Sequence, residues 1–271
     1  MNVIQMNALH WSGESDQTQT IDLLAEEPLS IRIQGKPYAV VMRTPGDEIP
    51  HVAGFCLTEG IVDHSGDIQN IAFCDGQDTN VVTVTLKPES QHRIPRIMER
   101  RGFISQTSCG ICGKELIRDI GQDVASLTDE FRMDIRQAAA VLRDIAAHQP
   151  LRGITRAAHG AVIYDAGGNP LSAAEDVGRH NALDKAIGRL FLEQRLDRAV
   201  LLTLSSRVSY ELVQKAARAR IPILLALSRP TALAVSLAGS LGVTVACHDK
   251  AEGLLVFSGR QRLVRSNAKD P

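Results

Sequence analysis

Two cysteines spaced as C-x-x-C are the residues of this chain best suited to chemistry. Cys109 and Cys112 lie in the run S-C-G-I-C-G-K over residues 108–114, and a glycine follows each cysteine. The glycines let the backbone bend and leave both sulfur atoms accessible. This spacing serves a redox-active dithiol, half of a zinc site, or a thiolate that carries a sulfur atom. Other features of the chain have to decide among these three.

A metal site and a dithiol site each lack sequence signals that they would require. A structural zinc site takes four ligands, yet the chain holds no second C-x-x-C and no H-x(3–5)-H pair. A zinc deaminase requires H-x-E and P-C-x-x-C, whereas Ser108 precedes Cys109 and H-x-E does not occur. A thioredoxin-like dithiol starts a helix after the first strand of its own fold. We therefore favour a mobile thiolate, with its pKa lowered by Lys114 and by the start of the next helix, and expect no zinc.

Three further runs carry side chains that bind anions. Arg179, His180 and Asn181 open a predicted helix, where free backbone N–H groups attract phosphate or carboxylate. Arg207 follows an apolar predicted strand, and ligands bind at the carboxyl ends of strands in open α/β sheets. The run F-S-G-R-Q-R over residues 257–262 supplies two guanidinium groups, which suit phosphates. Each run also has an alternative interpretation: the first as a charged helix face, the second as a surface arginine and the third as a basic tail.

Composition limits the class of protein. The chain has 271 residues, 44% of them hydrophobic, which is enough for one large domain or two ordinary ones. Thirty basic and thirty-one acidic residues give a formal charge of -1, so no chain-wide nucleic-acid or membrane footprint is expected. Five scattered cysteines fit a reducing compartment, and the sequence shows neither a signal peptide nor a membrane span. We expect a cytoplasmic protein.

The pattern of apolar residues divides the chain into four parts. Residues 1–28 are polar and without a sustained period, so we expect a flexible arm. Residues 29–102 indicate a small α+β domain with a hairpin, a helix whose first turn holds Pro45, and two more strands. A mobile C-x-x-C loop spans 103–113. Residues 114–271 alternate helices with continuous apolar runs, which predicts an α/β fold with a three-layer α/β/α sandwich. No internal repeat is evident.

Four longer motifs make the sequence similar to a known family. They are M-R-T-P-G-D-E-x-x-x-x-A-G-F-x-x-T-E-G-I over residues 42–61, S-C-G-I-C-G-K over 108–114, E-D-V-G-R-H-N-A-L-D-K over 175–185 and S-R-V-S-Y-E-L-V-Q-K over 206–215. With these motifs in this order, the chain resembles the FdhD family of formate dehydrogenase accessory sulfurtransferases. The resemblance covers most of the chain, from about Met42 to Arg260.

The resemblance implies a function, a fold and partners. It implies a cytoplasmic carrier that takes sulfane sulfur from a cysteine desulfurase and passes it to the molybdenum or tungsten bis(molybdopterin guanine dinucleotide) cofactor, before that cofactor enters formate dehydrogenase. This cofactor carries two diphosphates, which we expect the three anion-binding runs to hold, and GDP or GMP is expected to mimic it. The resemblance also implies a cytidine-deaminase-like main domain without the deaminase zinc, and a homodimer.

The resemblance also implies roles for individual residues. Cys109 is implied as the residue that bears the persulfide, with Cys112 as a helper or alternative acceptor. His159 keeps its place in T-R-A-A-H-G-A, where relatives tend toward T-G-G-x-H-x-A. The second functional class that remains is a cofactor-binding chaperone without catalysis, whose C-x-x-C senses redox state or holds zinc. The nucleotide-binding run of the family, which is shorter here than in relatives, falls on Phe257, Ser258, Gly259, Arg260, Gln261 and Arg262.

Overall fold

The structure, a computed structural model, describes residues 2–13, 15–74, 79–95, 124–128, 130–249 and 253–265. Its strands are β1 (Val3–Trp11), β2 (Asp16–Leu24), β3 (Glu27–Ile33), β4 (Lys36–Arg43), β5 (Ile68–Phe73), β6 (Val81–Leu86), β7 (Met133–Asp134), β8 (His159–Tyr164), β9 (Pro170–Asp176), β10 (Leu201–Leu204), β11 (Ile223–Ala226), β12 (Thr244–His248), β13 (Leu254–Ser258) and β14 (Leu263–Val264). The α-helices of these residues are α1 (Glu48–Thr58), α2 (Ile135–Arg143), α3 (Pro150–Thr155), α4 (Arg179–Leu192), α5 (Tyr210–Arg218) and α6 (Ala232–Leu241). None of these helices is both long and apolar enough to cross a bilayer.

Six strands form the central sheet, in the order β13-β12-β11-β10-β8-β9. The strands β10, β11 and β12 are parallel, whereas β8, β9 and β13 join antiparallel. Every residue of β10 and β11 is buried, because α4, α5 and α6 cover one face of the sheet and α2 covers the other. The predicted α/β class and the continuous apolar strands are confirmed. A likeness to cytidine deaminases stays a prediction.

Residues 27–86 form a smaller unit around a four-stranded sheet, in the order β4-β3-β6-β5. The predicted hairpin is β3 and β4, and its two-residue turn is Gln34-Gly35, where both residues have positive φ. Helix α1 packs on this sheet with one side and on α4 with the other. One hydrophobic cluster therefore runs from the small sheet through α1 to the central sheet, and the two predicted domains share it.

Val3–Trp11 and Asp16–Leu24 form a β-hairpin, which the sequence pattern did not indicate within the predicted flexible arm. The strands pair antiparallel in a regular register from one end to the other. The sequence pattern misses them because nearly all of their side chains are exposed, and backbone pairing by itself leaves no burial period in the sequence.

Other element boundaries also differ from the sequence prediction. Helix α1 begins at Glu48 after an N-cap Asp47 with a φ of 59°, so Pro45 precedes the helix instead of lying in its first turn. The strands β9 and β13 were not indicated by the sequence pattern, because as outer strands they lack a continuous buried run. The loop predicted over 103–113 lies outside the described residues.

Two consecutive strand–loop–helix units, β10 to α5 and β11 to α6, have the same arrangement, although the sequence shows no internal repeat. The strands β10 and β11 are parallel neighbours, and their loops read L-S-S-R-V-S over residues 204–209 and A-L-S-R-P-T over 226–231. Val208 and Pro230, which occupy the same position of the two loops, form a parallel bridge. The sequence hides the repeat because the strands and helices share apolar character but few identical residues.

Helices α1 and α4 cross at two glycines that leave no room for a side chain. A Cβ on Gly54 would overlap the backbone carbonyl oxygen of Asp184, and one on Gly188 would overlap that of Pro50. The contact positions are Pro50 and Gly54 on α1, and Asp184 and Gly188 on α4. Each pair is four residues apart, which is the spacing of the side-chain ridges along which closely packed helices meet. The two backbones are therefore in direct contact, and a larger residue at either glycine must separate the helices.

We predict that Gly188→Ala lowers the free energy of unfolding by about 3 kcal/mol, because the new methyl group meets a backbone oxygen that cannot rotate away. The matched control is Gly239→Ala in α6, a helical glycine with open space around it, which should raise the free energy of unfolding by about 0.8 kcal/mol. Chemical denaturation measures both effects. A Gly188→Ala protein as stable as wild type would contradict the close crossing.

Candidate functional site

The carboxyl ends of β9, β10 and β11 meet the start of β8 along one side of the central sheet, here called the carboxyl edge. His159, the first residue of β8, pairs with Asp176, the last residue of β9. Ser205, directly after β10, donates its backbone N–H to Gly160 O at 3.0 Å and accepts the Gly160 N–H on Oγ at 2.8 Å. The helices α4 and α5 begin at this edge, so side chains in their first turns face the same region.

Four of the predicted cofactor-binding residues lie at the carboxyl edge. Arg179 and His180 are the first two residues of α4, and their charges act on His159 at the start of β8. Two buried atoms here, His159 Nδ1 and Arg179 Nε, have no hydrogen-bond partner among the described residues. Buried polar atoms are nearly always hydrogen-bonded, so this pair is suited to a polar ligand. Arg207 is exposed at the same edge, after β10.

His159 contributes a hydrogen bond to this edge instead of a charge. Burial lowers the pKa of His159, and the charges of Arg179, Arg152 and His180 lower it further, against the opposing effect of Asp176. The imidazole is therefore neutral at pH 7. Positive charge comes from the arginines, so the edge combines cations with a neutral, directional group.

A carboxylate that the sequence analysis did not single out orients His180. Nε2 of His180 lies 2.9 Å from Glu211 Oε2 and 3.1 Å from Ser209 Oγ. The hydrogen bond from His180 lowers the pKa of Glu211 against the opposing effect of burial, and this contact holds the imidazole ring in position. Glu211 and Ser209 both lie in the motif over 206–215, which is the signal by which they could have been found.

Asp176 fixes the start of α4. Its buried carboxylate accepts hydrogen bonds from the backbone N–H groups of Thr44 at 3.0 Å and Gly178 at 2.8 Å. The buried ammonium group of Lys185 lies 2.8 Å from this carboxylate and donates to Thr44 O at 2.7 Å. Asn181 Nδ2 also donates to Asp176, at 2.9 Å. The amide of Asn181 is thus engaged within the fold, and its predicted contact with a cofactor gains no support from this geometry.

A second group of buried charges lies where α1, α4 and α5 meet. Lys215 Nζ lies 3.0 Å from Asp184, 2.9 Å from Glu59 and 2.9 Å from Thr58 Oγ1. Burial lowers the pKa of Lys215, but the two carboxylates outweigh burial and raise it above its ordinary value. Burial raises the pKa of Asp184, which Lys215 partly offsets. Breaking a buried pair of this kind costs about 3–5 kcal/mol, so these charges hold the three helices in register.

His51 on α1 is fully buried close to both groups of charges. Burial, followed by the charges of Lys185, Lys215 and Arg43, holds the pKa of His51 well below its ordinary value. The imidazole of the folded protein is therefore neutral over the whole range in which a solvated histidine gains its proton.

The predicted nucleotide-binding run over 257–262 lies at the opposite end of the sheet from the carboxyl edge. Because β13 is antiparallel to β12, Ser258 pairs with Val245 near the start of β12. Arg262 is buried and donates to Gly242 O at 2.7 Å, so its guanidinium group serves the fold. Within one chain, the structure therefore does not bring this run together with the residues of the carboxyl edge. The exposed members of the run are Phe257, Arg260 and Gln261.

Cys109 and Cys112 lie outside the described residues, so their roles stay predictions. Of the other cysteines, Cys56 and Cys247 are buried and Cys74 is exposed. Burial raises the pKa of Cys56 and of Cys247, so neither is a reactive thiolate. Within the part of the chain that the structure describes, no group of three or more His, Cys, Asp or Glu side chains is placed to hold a metal ion.

Comparison with known proteins gives matches over nearly the whole chain. A model of the FdhD/NarQ family matches residues 24–264. The sulfur carrier protein FdhD of Streptomyces coelicolor is 39% identical over 257 residues, which cover 91% of this chain and 90% of the relative. The sulfur carrier protein FdhD of Xanthomonas euvesicatoria pv. vesicatoria is 38% identical over 263 residues, which cover 97% and 92%.

A solved structure shares the fold. The crystal structure of a putative formate dehydrogenase accessory protein from Desulfotalea psychrophila superposes with a TM-score of 0.77, covering 97% of this chain and all of that one. Its sequence identity is 22%. The arrangement of sheets and helices described above therefore recurs in a protein of quite different sequence.

We predict that acid destabilises the fold through His51. The unfolded chain binds a proton on this histidine near pH 6.5 and the folded chain does not, so the free energy of unfolding falls as pH drops below about 6.5. Between pH 7.5 and 5.5 this one group should remove about 1.4 kcal/mol. Urea denaturation at both pH values measures the loss, which should be smaller by that amount in His51→Leu. Equal losses in the two proteins would show that His51 titrates alike in both states.

Proposed function

The chain belongs to the FdhD/NarQ family, and on that premise we propose that it is a sulfurtransferase that carries sulfur for the maturation of formate dehydrogenase. Sulfane sulfur moves from a cysteine desulfurase, through a persulfide on Cys109, to the molybdenum bis(molybdopterin guanine dinucleotide) cofactor, which is its substrate. One observation carries the proposal: relatives named as sulfur carriers match at 38% and 39% identity over at least 90% of both chains.

The first step of the proposed reaction is an exchange between sulfur atoms. The thiolate of Cys109 attacks the terminal sulfur of the donor's persulfide, so that one S–S bond forms while another breaks and the donor leaves as a thiolate. The sulfane sulfur keeps its oxidation state, and no external oxidant or reductant is needed. Cys112, three residues further along the chain, is the helper or alternative acceptor.

The carboxyl edge binds phosphate groups of the cofactor in this proposal. Support comes from the convergence of His159, Arg179 and His180 and from the two buried atoms without a partner among the described residues. Arg207, exposed at the same edge, forms no ion pair with any described residue. Guanidinium groups supply charge-assisted hydrogen bonds to phosphate, and neutral His159 supplies a directional hydrogen bond.

The run over 257–262 binds the guanine nucleotide in this proposal. Phe257 is 40% exposed and offers an aromatic face, with exposed Arg260 nearby in sequence. This run and the carboxyl edge lie at opposite ends of the sheet within one chain. A homodimer would allow one cofactor to contact the carboxyl edge of one chain and the run of its partner. The proposal therefore includes a homodimer, placed in the cytoplasm, with a main domain of the cytidine-deaminase type.

We predict that Cys109→Ala abolishes sulfur loading and the maturation of formate dehydrogenase, because it removes the nucleophile. Incubation with cysteine desulfurase and cysteine, followed by mass spectrometry of the intact protein, should show a gain of about 32 Da per sulfur atom in wild type. The matched control is Cys74→Ala, which removes an exposed cysteine of another part of the chain and should load normally.

Three results would count against the proposal. Normal maturation by the Cys109→Ala protein would reject Cys109 as the carrier. Wild-type protein that binds the cofactor but never gains sulfur would favour a chaperone without catalysis. Zinc at one atom per chain, lost on Cys112→Ala, would assign the C-x-x-C to a metal instead.

We predict that GDP binds without magnesium and that Arg207→Ala weakens binding by about 1.5–3 kcal/mol, through loss of charge-assisted hydrogen bonds. Isothermal titration calorimetry measures both affinities. The control is Arg143→Ala, which removes an exposed arginine at the end of α2 on the other face of the sheet. Wild-type affinity in the Arg207→Ala protein would remove this residue from the cofactor site.

A further inference from the structure

The two repeated strand–loop–helix units place an arginine at the same position of neighbouring loops. Arg207 follows β10 in L-S-S-R-V-S, and Arg229 follows β11 in A-L-S-R-P-T. The next residue of each loop, Val208 and Pro230, joins the other in a parallel bridge, and Thr231 N–H donates to Val208 O at 3.0 Å. The loops that carry the two arginines therefore lie side by side.

The side chains of Arg207 and Arg229 have no partner in the part of the chain that the structure describes. Both side chains are exposed, and neither forms an ion pair or hydrogen bond with any residue that the structure describes. By contrast, other arginines of the helical layer are paired with carboxylates: Arg189 with Asp47, Arg195 with Glu193 and Arg218 with Asp63. The two loops therefore hold two unpaired cations side by side.

The guanidinium group of Arg229 lies at the carboxyl edge. Cys247 lies near the end of β12. Burial raises the pKa of Cys247, and the charge of Arg229 opposes this rise. Arg229, in the loop after β11, is therefore close to the end of β12, and β10, which Arg207 follows, is the other neighbour of β11. Two like charges on neighbouring loops repel each other. An anion with two binding groups would remove this repulsion.

We propose that Arg207 and Arg229 together clamp one diphosphate group. A guanidinium group donates two parallel hydrogen bonds to a phosphate, and two guanidinium groups on neighbouring loops match two phosphates joined by one bridging oxygen. A monophosphate engages one of the two arginines. The clamp thus selects a nucleoside diphosphate over a nucleoside monophosphate.

The clamp rests on the proposed function for the identity of its natural ligand, a cofactor that carries diphosphates. It extends that function in two respects. Arg229 is not among the residues that the sequence indicated, and the clamp assigns the carboxyl edge a preference for two linked phosphates instead of for negative charge in general.

Titration calorimetry of the full-length protein with GDP, GMP, inorganic pyrophosphate and inorganic phosphate tests the clamp. Wild type should bind GDP about tenfold or more tightly than GMP, and pyrophosphate more tightly than phosphate. Arg229→Gln should weaken the binding of GDP about tenfold or more and the binding of GMP less than about threefold. Only the diphosphate engages both arginines, so only its binding depends strongly on Arg229. The preference for GDP should therefore nearly disappear.

Arg143→Gln is the matched control and should leave all four affinities unchanged, since this exposed arginine lies at the end of α2. Circular dichroism verifies that each variant is folded. Equal wild-type affinity for GDP and GMP, absence of binding, or an unchanged GDP preference in Arg229→Gln overturns the clamp. A GDP preference that depends on Arg229, in a protein that never gains persulfide sulfur, keeps the clamp and rejects sulfur transfer.

Discussion

The contact between the backbones of α1 and α4 is the constraint on which the rest of this structure depends. Gly54 and Gly188 let the two helices approach until the position of a Cβ on one is filled by a carbonyl oxygen of the other. This contact inserts α1 between the small sheet and the helices of the central sheet, so that one hydrophobic core serves both units. The smaller unit is therefore a supporting part of the same fold, and it holds the start of α4 in place.

The close crossing explains why so many charges are buried beside it. The ammonium group of Lys185 reaches both Asp176 and Thr44 O because the loop before α1 lies against the start of α4. Lys215 joins α5 to α1 and α4 in the same way. Buried ion pairs add little to stability relative to apolar residues, but breaking one is costly. Their effect here is to permit one arrangement of the three helices, and through it one position for Arg179 and His180.

The motifs that carry the family resemblance are thus mostly parts of this support. Asp176, Asp184, Lys185 and Lys215 all belong to the motifs over 175–185 and 206–215, and all are buried. The residues suited to a ligand lie next to them at the carboxyl edge, where the charge of Arg179 acts on neutral His159 and on the Glu211 that contacts His180. A rigid support beside a polar edge keeps these groups in position before any ligand arrives.

The sequence by itself determined the α/β class, the parallel apolar strands, the start of α4 and the likeness to one family, because continuous burial and local helix signals leave a period that can be read along the chain. It did not indicate the first hairpin, whose strands pair through the backbone with exposed side chains. It assigned the run 257–262 and the other anion-binding residues to one cofactor but gave no position for the run, which the antiparallel course of β13 carries to the opposite end of the sheet. Tertiary structure alone decided that Glu211 meets His180 and that the loop of Arg229 lies beside the loop of Arg207, because strand order and register are set by long-range pairing, which leaves no signal in local sequence.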